Sequence, residues 1–530
     1  MKAIKKIGLY VFLLGLLFFT SLPFFGKFTI SQSQIETELT PQELDNIGEE
    51  LIRSLSGKEF SNSTSIAHEV ISIYELKNEE LKANQEWDKV MWTQSSAFAM
   101  KIAQSANESG VTKSPWMYFL LSFGLGIVGA LMYIIPDVVL LGPAGIKNNG
   151  IFQSTATNRG WIGMLTFVYL VSFYIILYFY PYMMINQINL LDPLKGLFIE
   201  GEKASQWFLY GFLYCTVMIV MGVKMLIKYR HSKYQIVRTF SVIFFQVVFA
   251  FLLVEILPIF GLPGVDLKSA WPLDYDFLFD WNVKSLLDSG NFGKFAFVWG
   301  LTLSIIIVPL FTYFYGKRWY CSWVCGCGGL AETLGDPYRH LSNKKMKAWK
   351  FERWMIHAVL IFAVVMTIFT GYHTYNELNS PDMQEKDILW GISSFDIRTW
   401  YSFLIGSIFA GVIGTGFYPV FGNRTWCRFG CPLAAYMGIV QRFKSRFRIT
   451  TNGGQCISCG NCSTYCEQGI DVRAYAQKGQ NIVRASCVGC GVCSSVCPRG
   501  VLKLENGPEE GRISDNPIII GKDNVPTLNL

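Results

Sequence analysis

Eight of the fourteen cysteines in this 530-residue chain fall in two copies of C-x₂-C-x₂-C-x₃-C. The first copy is Cys456, Cys459, Cys462 and Cys466; the second is Cys487, Cys490, Cys493 and Cys497, followed by Pro498. Three thiolates at this spacing wrap three corners of a cubane iron–sulfur cluster, and the fourth ligand comes from the other copy. The pattern predicts two [4Fe–4S] clusters, one on Cys456, Cys459, Cys462 and Cys497 and the other on Cys466, Cys487, Cys490 and Cys493. Zinc ribbons are the competing reading. They divide four ligands between two C-x₂-C knuckles, whereas each copy here offers four in one run.

A second constellation lies upstream. Gly316-Lys317-Arg318-Trp319-Tyr320-Cys321 leads to Cys325, and Gly422-Asn423-Arg424-Thr425-Trp426-Cys427 leads to Cys431. Both read G-x-R-x-[YW]-C-x₃-C, and the offset is constant (427 − 321 = 431 − 325 = 106), so this is an internal repeat. Cys321, Cys325, Cys427 and Cys431 are candidates for a third metal or redox site, with Cys327 as a fifth thiol. A third cluster, a single metal ion, a redox-active thiol pair and mere packing of small cysteines at helix ends all stay open at this point. The arginines and aromatics of the motifs are expected as interfacial anchors.

The elements that hold these cysteines are mostly apolar. With 51% hydrophobic residues, 15% aromatics and 16% charge, the chain reads as a membrane protein. Apolar runs of spanning length, roughly twenty residues, occur near 7–25, 116–135, 161–185, 207–227, 239–260, 295–315, 354–372 and 401–421. The first follows a basic start, MKAIKK, and lacks a small-x-small cleavage site, so 1–26 is expected as an uncleaved anchor. Lys and Arg gather in loops on one side (Lys228, Arg230, Lys233 and Arg238; Lys317 to Arg353), while the opposite loops hold Asp266, Asp274, Asp276, Asp280 and Asp288, then Glu377, Asp382, Glu385 and Asp387. Basic loops stay inside. The expectation is a multi-pass protein of a bacterial inner membrane with both termini and the cysteine motifs in the cytoplasm, where thiols stay reduced. The formal charge of +7 then has a membrane explanation, and nucleic-acid binding is not expected.

Residues 27–115 read as an extracytoplasmic helical segment. Thr40-Pro41-Gln42-Glu43 is a capping box with proline at the first helical position, Gly57 is the expected stop, and a second helix is predicted over 67–107. No flavin attachment pattern is present. His357 and His373 lie sixteen residues apart, about 24 Å along a helix, so one haem cannot use both; haem and flavin are not supported. The membrane domain is predicted over 116–432, with the loop GPAGIKNNG (142–150) a flexible connector. A basic amphipathic linker on the inner leaflet follows at 433–454, with Arg442, Lys444, Arg446 and Arg448. A ferredoxin domain at 455–504 and an extended tail at 505–530 complete the chain. The fold class is thus predominantly α: a polytopic bundle of about eight membrane helices with a small α+β 2[4Fe–4S] ferredoxin domain at its C-terminal end.

The eight ferredoxin cysteines, preceded by two C-x₃-C motifs after separate helices, resemble the membrane-bound polyferredoxins of the NosR/NapH type and are similar in layout to copper-oxidase assembly polyferredoxins. The resemblance covers 295–503 best. It departs at Gly326, where the family's motif ends C-x₃-C-P as Cys431-Pro432 does, and at Glu467, where bacterial ferredoxins place proline and an altered loop is expected. It implies electron transfer between a quinol pool or cytosolic donor and a membrane partner, with a redox protein and quinone as candidate partners. Redox maturation of a respiratory metalloenzyme and membrane redox sensing are the alternatives, and whether the chain is a carrier or an oxidoreductase component stays open.

Overall fold

A computed structural model describes the chain except for residues 87–88, 92, 143, 146–149, 380–392, 444, 507–517, 520–525 and 528–530. Asp382, Glu385 and Asp387 of the expected acidic loop, Lys444 and most of the tail lie outside the described residues. Among those described, eight helices are long and apolar enough to cross a membrane: Lys2–Phe24, Pro115–Leu141, Trp161–Phe179, Gln206–Lys228, Lys233–Phe260, Gly290–Phe314, Met346–Asn379 and Asp396–Gly416. They match the eight apolar runs. The seventh starts eight residues before its expected apolar run (354 − 346), a polar extension that carries Glu352.

The chain divides into two compact units, 1–140 with 171–220 and 141–170 with 221–530. In the first, residues 27–115 form a helical domain with its own core of Phe28, Ile35, Leu51, Val70, Tyr74 and Phe98, joined by Tyr182 and Ile185. The capping box is present: the Thr40 side chain accepts from the Glu43 N–H, and the Glu43 carboxylate accepts from the Thr40 N–H. The helix that follows ends at Leu55, just before Gly57 in the left-handed region (φ 73°). The expected single helix over 67–107 is two, Ser63–Ala83 and Ser95–Ser105. The break lets Asn78 and Tyr74 take up backbone groups of the connecting segment, with Asn78 Oδ1 accepting from Met91 N–H at 3.0 Å and Tyr74 Oη donating to Thr93 O at 2.7 Å.

The second unit holds all thirteen cysteines outside the fourth span. Its ferredoxin part begins earlier than the cysteine spacing suggested. Strand Phe447–Thr451 pairs antiparallel with Leu502–Asn506, Ile449 facing Leu504, so 447–454 belongs to the domain rather than to a linker. The preceding helix is Pro432–Phe443, and it does not lie on a surface: Leu433, Ala434, Ala435, Met437, Gly438 and Gln441 are buried. Arg446 and Arg448 fall after it, and Arg448 is on the strand. Its apolar stripe is covered by protein, which is why the basic amphipathic pattern misled.

Residues 261–279 were expected as an acidic outer loop, yet they re-enter the span bundle. The carbonyl of Leu278 accepts from Thr374 at 2.6 Å near the far end of the seventh span, the Trp271 N–H donates to Ser304 at 2.9 Å midway along the sixth, and the Lys268 carbonyl accepts from Tyr320, beside Cys321. Irregular backbone at membrane depth is tolerated where protein satisfies its polar groups, and here side chains of the surrounding spans do so. Trp299 Nε1 donates to Leu267 O at 2.7 Å and Tyr401 Oη to Pro272 O at 2.8 Å. A widened π-helical turn, Leu303–Ile307, carries Ser304; a second, Phe245–Leu252, carries Gln246, whose amide donates to Val324 O between the first Cys pair. Ala270, Trp271, Phe277 and Phe279 are buried.

Candidate functional site

The two C-x₃-C motifs share one turn geometry around their cysteines. Each opens with a glycine in the left-handed region, Gly316 (φ 67°) and Gly422 (φ 92°), followed by a one-turn helix, Trp319–Trp323 or Thr425–Phe429. The Tyr320 carbonyl accepts from Val324 and Cys325 N–H at 3.0 and 2.8 Å; 106 residues on, Trp426 O accepts from Gly430 and Cys431 at 2.9 and 3.0 Å. The Gly328 N–H donates to the Cys325 sulfur and the Ala434 N–H to the Cys431 sulfur. Gly326 therefore begins a helix just as Pro432 does, since the first helical position needs no N–H donor. The departure at Gly326 leaves the turn unchanged.

The repeats also cross. Arg318 Nη1 donates to Cys427 O at 2.6 Å, and Arg424 Nη1 donates to Cys321 O at 2.9 Å. The arginines are not interfacial anchors: their side chains are wholly buried, and they tie each motif to the cysteine of the other. Cys321, Cys325, Cys427 and Cys431 are all at most 5% exposed and share one apolar cluster. Cys327 sits beside Cys325, within hydrogen-bond reach. Burial pushes the Cys321 and Cys431 thiols up, and the neighbouring cysteines add to this, so four free thiolates would repel in this space.

Of the ferredoxin cysteines, Cys456, Cys459, Cys462 and Cys497 line one cavity, and Cys459 is exposed. Cys466, Cys487, Cys490 and Cys493 converge on a second, more buried locus, with Cys487 and Cys493 each 6% exposed. Gly489, in the left-handed region (φ 69°), allows the Lys317 side chain to close on the backbone between Cys487 and Cys490; a Cβ there would meet it at 3.0 Å. The second set therefore lies against the C-x₃-C motifs. Arg318 Nε donates to Ala485 O at 2.8 Å, the Ser322 hydroxyl to Val488 O at 3.1 Å, and Tyr234 to Gly489 O at 2.8 Å.

A buried ion network clamps the ferredoxin part in this position. Glu467 accepts from Arg339 Nη1 at 2.9 Å and pairs with Arg424 at 3.1 Å; Glu332 pairs with Arg339 and Arg424 at 2.8 and 2.9 Å, and with Arg238. Asp336 takes Lys224 and Lys228 at 3.2 and 2.8 Å and Arg339 at 2.9 Å. Glu352 on the seventh span holds Arg428 at 2.6 Å and Arg484 at 3.4 Å. Burial pushes the Glu332 carboxyl up, but the guanidinium groups of Arg238, Arg339 and Arg424 outweigh it and hold it well below the usual carboxylate range. Oxygens of Glu332 and Glu467 and the Cys490 sulfur lie within 4.8 Å of one another; the arginines already supply the cations there.

Stretches 298–347 and 402–450, which contain the two C-x₃-C motifs, match a family described as a 4Fe-4S binding domain, and 448–498 match a 4Fe-4S dicluster domain. The methylamine utilization ferredoxin-type protein MauN of Methylobacillus flagellatus is 25% identical over 187 residues, 35% of this chain and 59% of that protein. MauN of Paracoccus denitrificans is 25% identical over 183 residues (34% and 58%), and the ferredoxin-type protein NapH of Escherichia coli K12 is 24% identical over 186 residues (35% and 60%). The chain is thus similar, over its C-terminal cysteine-bearing part, to ferredoxin-type proteins of the NapH and MauN kind. It spans little more than half the length of these curated relatives. No solved structure matches this chain.

The residues of the cysteine sets fit iron–sulfur clusters. Several of the buried donors without a protein partner lie beside the cysteines: Arg318 Nη2, Arg424 Nε and Trp426 Nε1 at the C-x₃-C motifs, Gln468 Nε2 and Ser486 Oγ at Cys466 and Cys487. A single zinc ion would draw thiolate sulfurs to about 3.8 Å of one another, from Zn–S bonds of about 2.3 Å. Among the described residues no three cysteine sulfurs lie within 4.8 Å of one another. Glu332 was not singled out by the sequence, Arg238 and Arg339 were read only as basic inside-loop residues, and Glu467 only as a replaced proline; Glu467 marks a docking contact.

Proposed function

We propose that this polyferredoxin is a membrane-anchored electron relay with three cysteine-held centres in series: Cys456, Cys459, Cys462 and Cys497 at the surface, Cys466, Cys487, Cys490 and Cys493 behind them, and Cys321, Cys325, Cys427 and Cys431 innermost, with Cys327 adjacent. The carrying observation is Arg318. Its guanidinium is 0% exposed and, among the described residues, has no carboxylate partner. A buried cation without a counter-charge is costly by several kcal/mol, and thiolates holding a [4Fe–4S] group would supply that charge. The surrounding network points the same way: Lys224, Lys228, Arg238, Arg339 and Arg424 outnumber Glu332, Asp336 and Glu467. When bound, each cluster takes up and releases one electron.

The chain itself fixes distances and excludes water. Arg318 spans from Ala485 O to Cys427 O, so the middle and innermost sets share one rigid contact. The positive-inside pattern supports a cytoplasmic ferredoxin domain in a bacterial inner membrane. For the membrane partner, quinone is favoured by a cavity of about 360 Å³ between the seventh and eighth spans, lined by Phe362, Met366, Asp396, Ile397, Trp400, Tyr401 and Leu404. Its wall residue Tyr401 packs tilted against Trp271, ring centroids 5.7 Å apart, and shares the apolar cluster of the four cysteines. A redox protein in the membrane is the other partner this reading allows.

The test is re-oxidation of the reduced protein in nanodiscs by a short-chain quinone. Cys431→Ser is expected to slow it at least 100-fold while the two ferredoxin centres keep their electron paramagnetic resonance signals. An unchanged rate would remove the innermost set from the route.

A further inference from the structure

The surface set has an edge that the other two lack. Cys459 and its neighbour Ile457 are exposed, Ile457 by 54%, whereas the middle and innermost cysteines are covered by the spans and by the network around Glu467. Among the described residues Cys459 is the one exposed cysteine, so 456–460 is the most open approach to the cysteine sets. Arg473 and Arg499 line the same cavity as those cysteines, and both are exposed. Lys478 follows the helix Val472–Gln477, which lies along this edge because Gln477 Nε2 donates to Ser458 Oγ at 2.6 Å. Among the described residues none of the three cations has an ion-pair partner. The nearby carboxylates are engaged elsewhere: Asp471 accepts from Ser463 at 2.7 Å, and Glu505 pairs with Lys503 at 3.3 Å.

We infer that the face formed by Ile457, Cys459, Arg473, Lys478, Pro498 and Arg499 is the docking surface for an acidic one-electron carrier protein, of flavodoxin or small-ferredoxin type, which donates to the surface set. The inference rests on the relay reading above. An apolar contact over the cysteine edge with a cationic rim is the arrangement that steers an oppositely charged partner and then excludes water at the crossing point. In the step the carrier is oxidised by one electron and the Cys456/Cys459/Cys462/Cys497 centre is reduced by one, and no proton or group is transferred. The rim acts on encounter, so its effect falls as salt shortens the Debye length from about 10 Å at 0.1 M to about 3 Å at 1 M.

The experiment is stopped-flow reduction of the full chain, in nanodiscs of zwitterionic lipid, by a photoreduced acidic flavodoxin at 20 mM and 500 mM salt. Arg473→Glu/Arg499→Glu is expected to lower the second-order rate at least tenfold at 20 mM salt and less than threefold at 500 mM, with iron content and both ferredoxin electron paramagnetic resonance signals retained. Lys478→Glu, a single change at the helix end, is expected to lower the low-salt rate twofold or more and keeps the test open if the double variant does not fold. A rate that charge reversal leaves alone or raises overturns the inference, as does loss of binding to phosphatidylglycerol vesicles with the flavodoxin rate intact, which would assign the cations to lipid. Absence of iron in the parent protein would overturn the relay reading itself, and with it this donor.

Discussion

Glu467→Ala is expected to destabilise the docked ferredoxin part by about 3 kcal/mol, because removing one partner of a buried ion network leaves the others uncompensated. Glu467 is 1% exposed and faces two guanidinium groups, Arg339 and Arg424. Both arginines keep Glu332, and Arg339 keeps Asp336 as well, so the loss is that of one carboxylate and not of the whole cluster. The measurement is denaturant unfolding in detergent, followed by bleaching of the visible iron–sulfur absorbance. Glu467 adjoins Cys466, so Arg339→Ala is the control that touches no cysteine. If the two residues act through their contact, the double variant costs clearly less than the sum of the single ones. A cost below about 1 kcal/mol, within reach of an ordinary surface pair, would mean that the network does not hold the domain in place.

Arg318→Met is expected to lower the midpoint potential of the innermost centre on the order of 100 mV. A unit charge about 6 Å away in a medium of effective dielectric about 20 is worth ~3 kcal/mol, and about 1.4 kcal/mol corresponds to roughly 60 mV for one electron. Methionine keeps much of the volume and removes the charge along with the donors to Ala485 O and Cys427 O. Arg318→Lys separates these roles: retaining the charge should retain most of the potential even though the crossing hydrogen bonds are lost. Arg424→Met should shift the potential less, because Glu332 and Glu467 already neutralise that guanidinium. Titration monitored by electron paramagnetic resonance reads all three variants. Equal potentials in Arg318→Met and the parent would place the charge away from any redox centre.

The cysteine spacings, the eight apolar runs and the Thr40–Glu43 capping box were legible because each is a local pattern enforced by local geometry. The 106-residue offset correctly announced a duplicated turn, but nothing in it showed that Arg318 and Arg424 exchange places across the repeat; that depends on how two spans pack. Glu332, in the run Gly-Gly-Leu-Ala-Glu-Thr, has no local signature at all. The re-entrant segment was hidden by its own composition. Asp266, Asp274 and Asp276 read as a solvated outer loop, although Trp271, Tyr275, Phe277 and Phe279 alternate with them and carry the opposite message. The helix Pro432–Phe443 misled for the converse reason, since an amphipathic period does not say whether lipid headgroups or protein cover its apolar side.

The claim that the duplicated cysteines hold a third centre is tested most directly by iron and acid-labile sulfide analysis of the anaerobically purified chain beside its Cys427→Ser/Cys431→Ser variant. About twelve irons in the parent and about eight in the variant are predicted, from four irons for each cysteine set. About eight in both would contradict the account and leave the two ferredoxin sets as the only clusters.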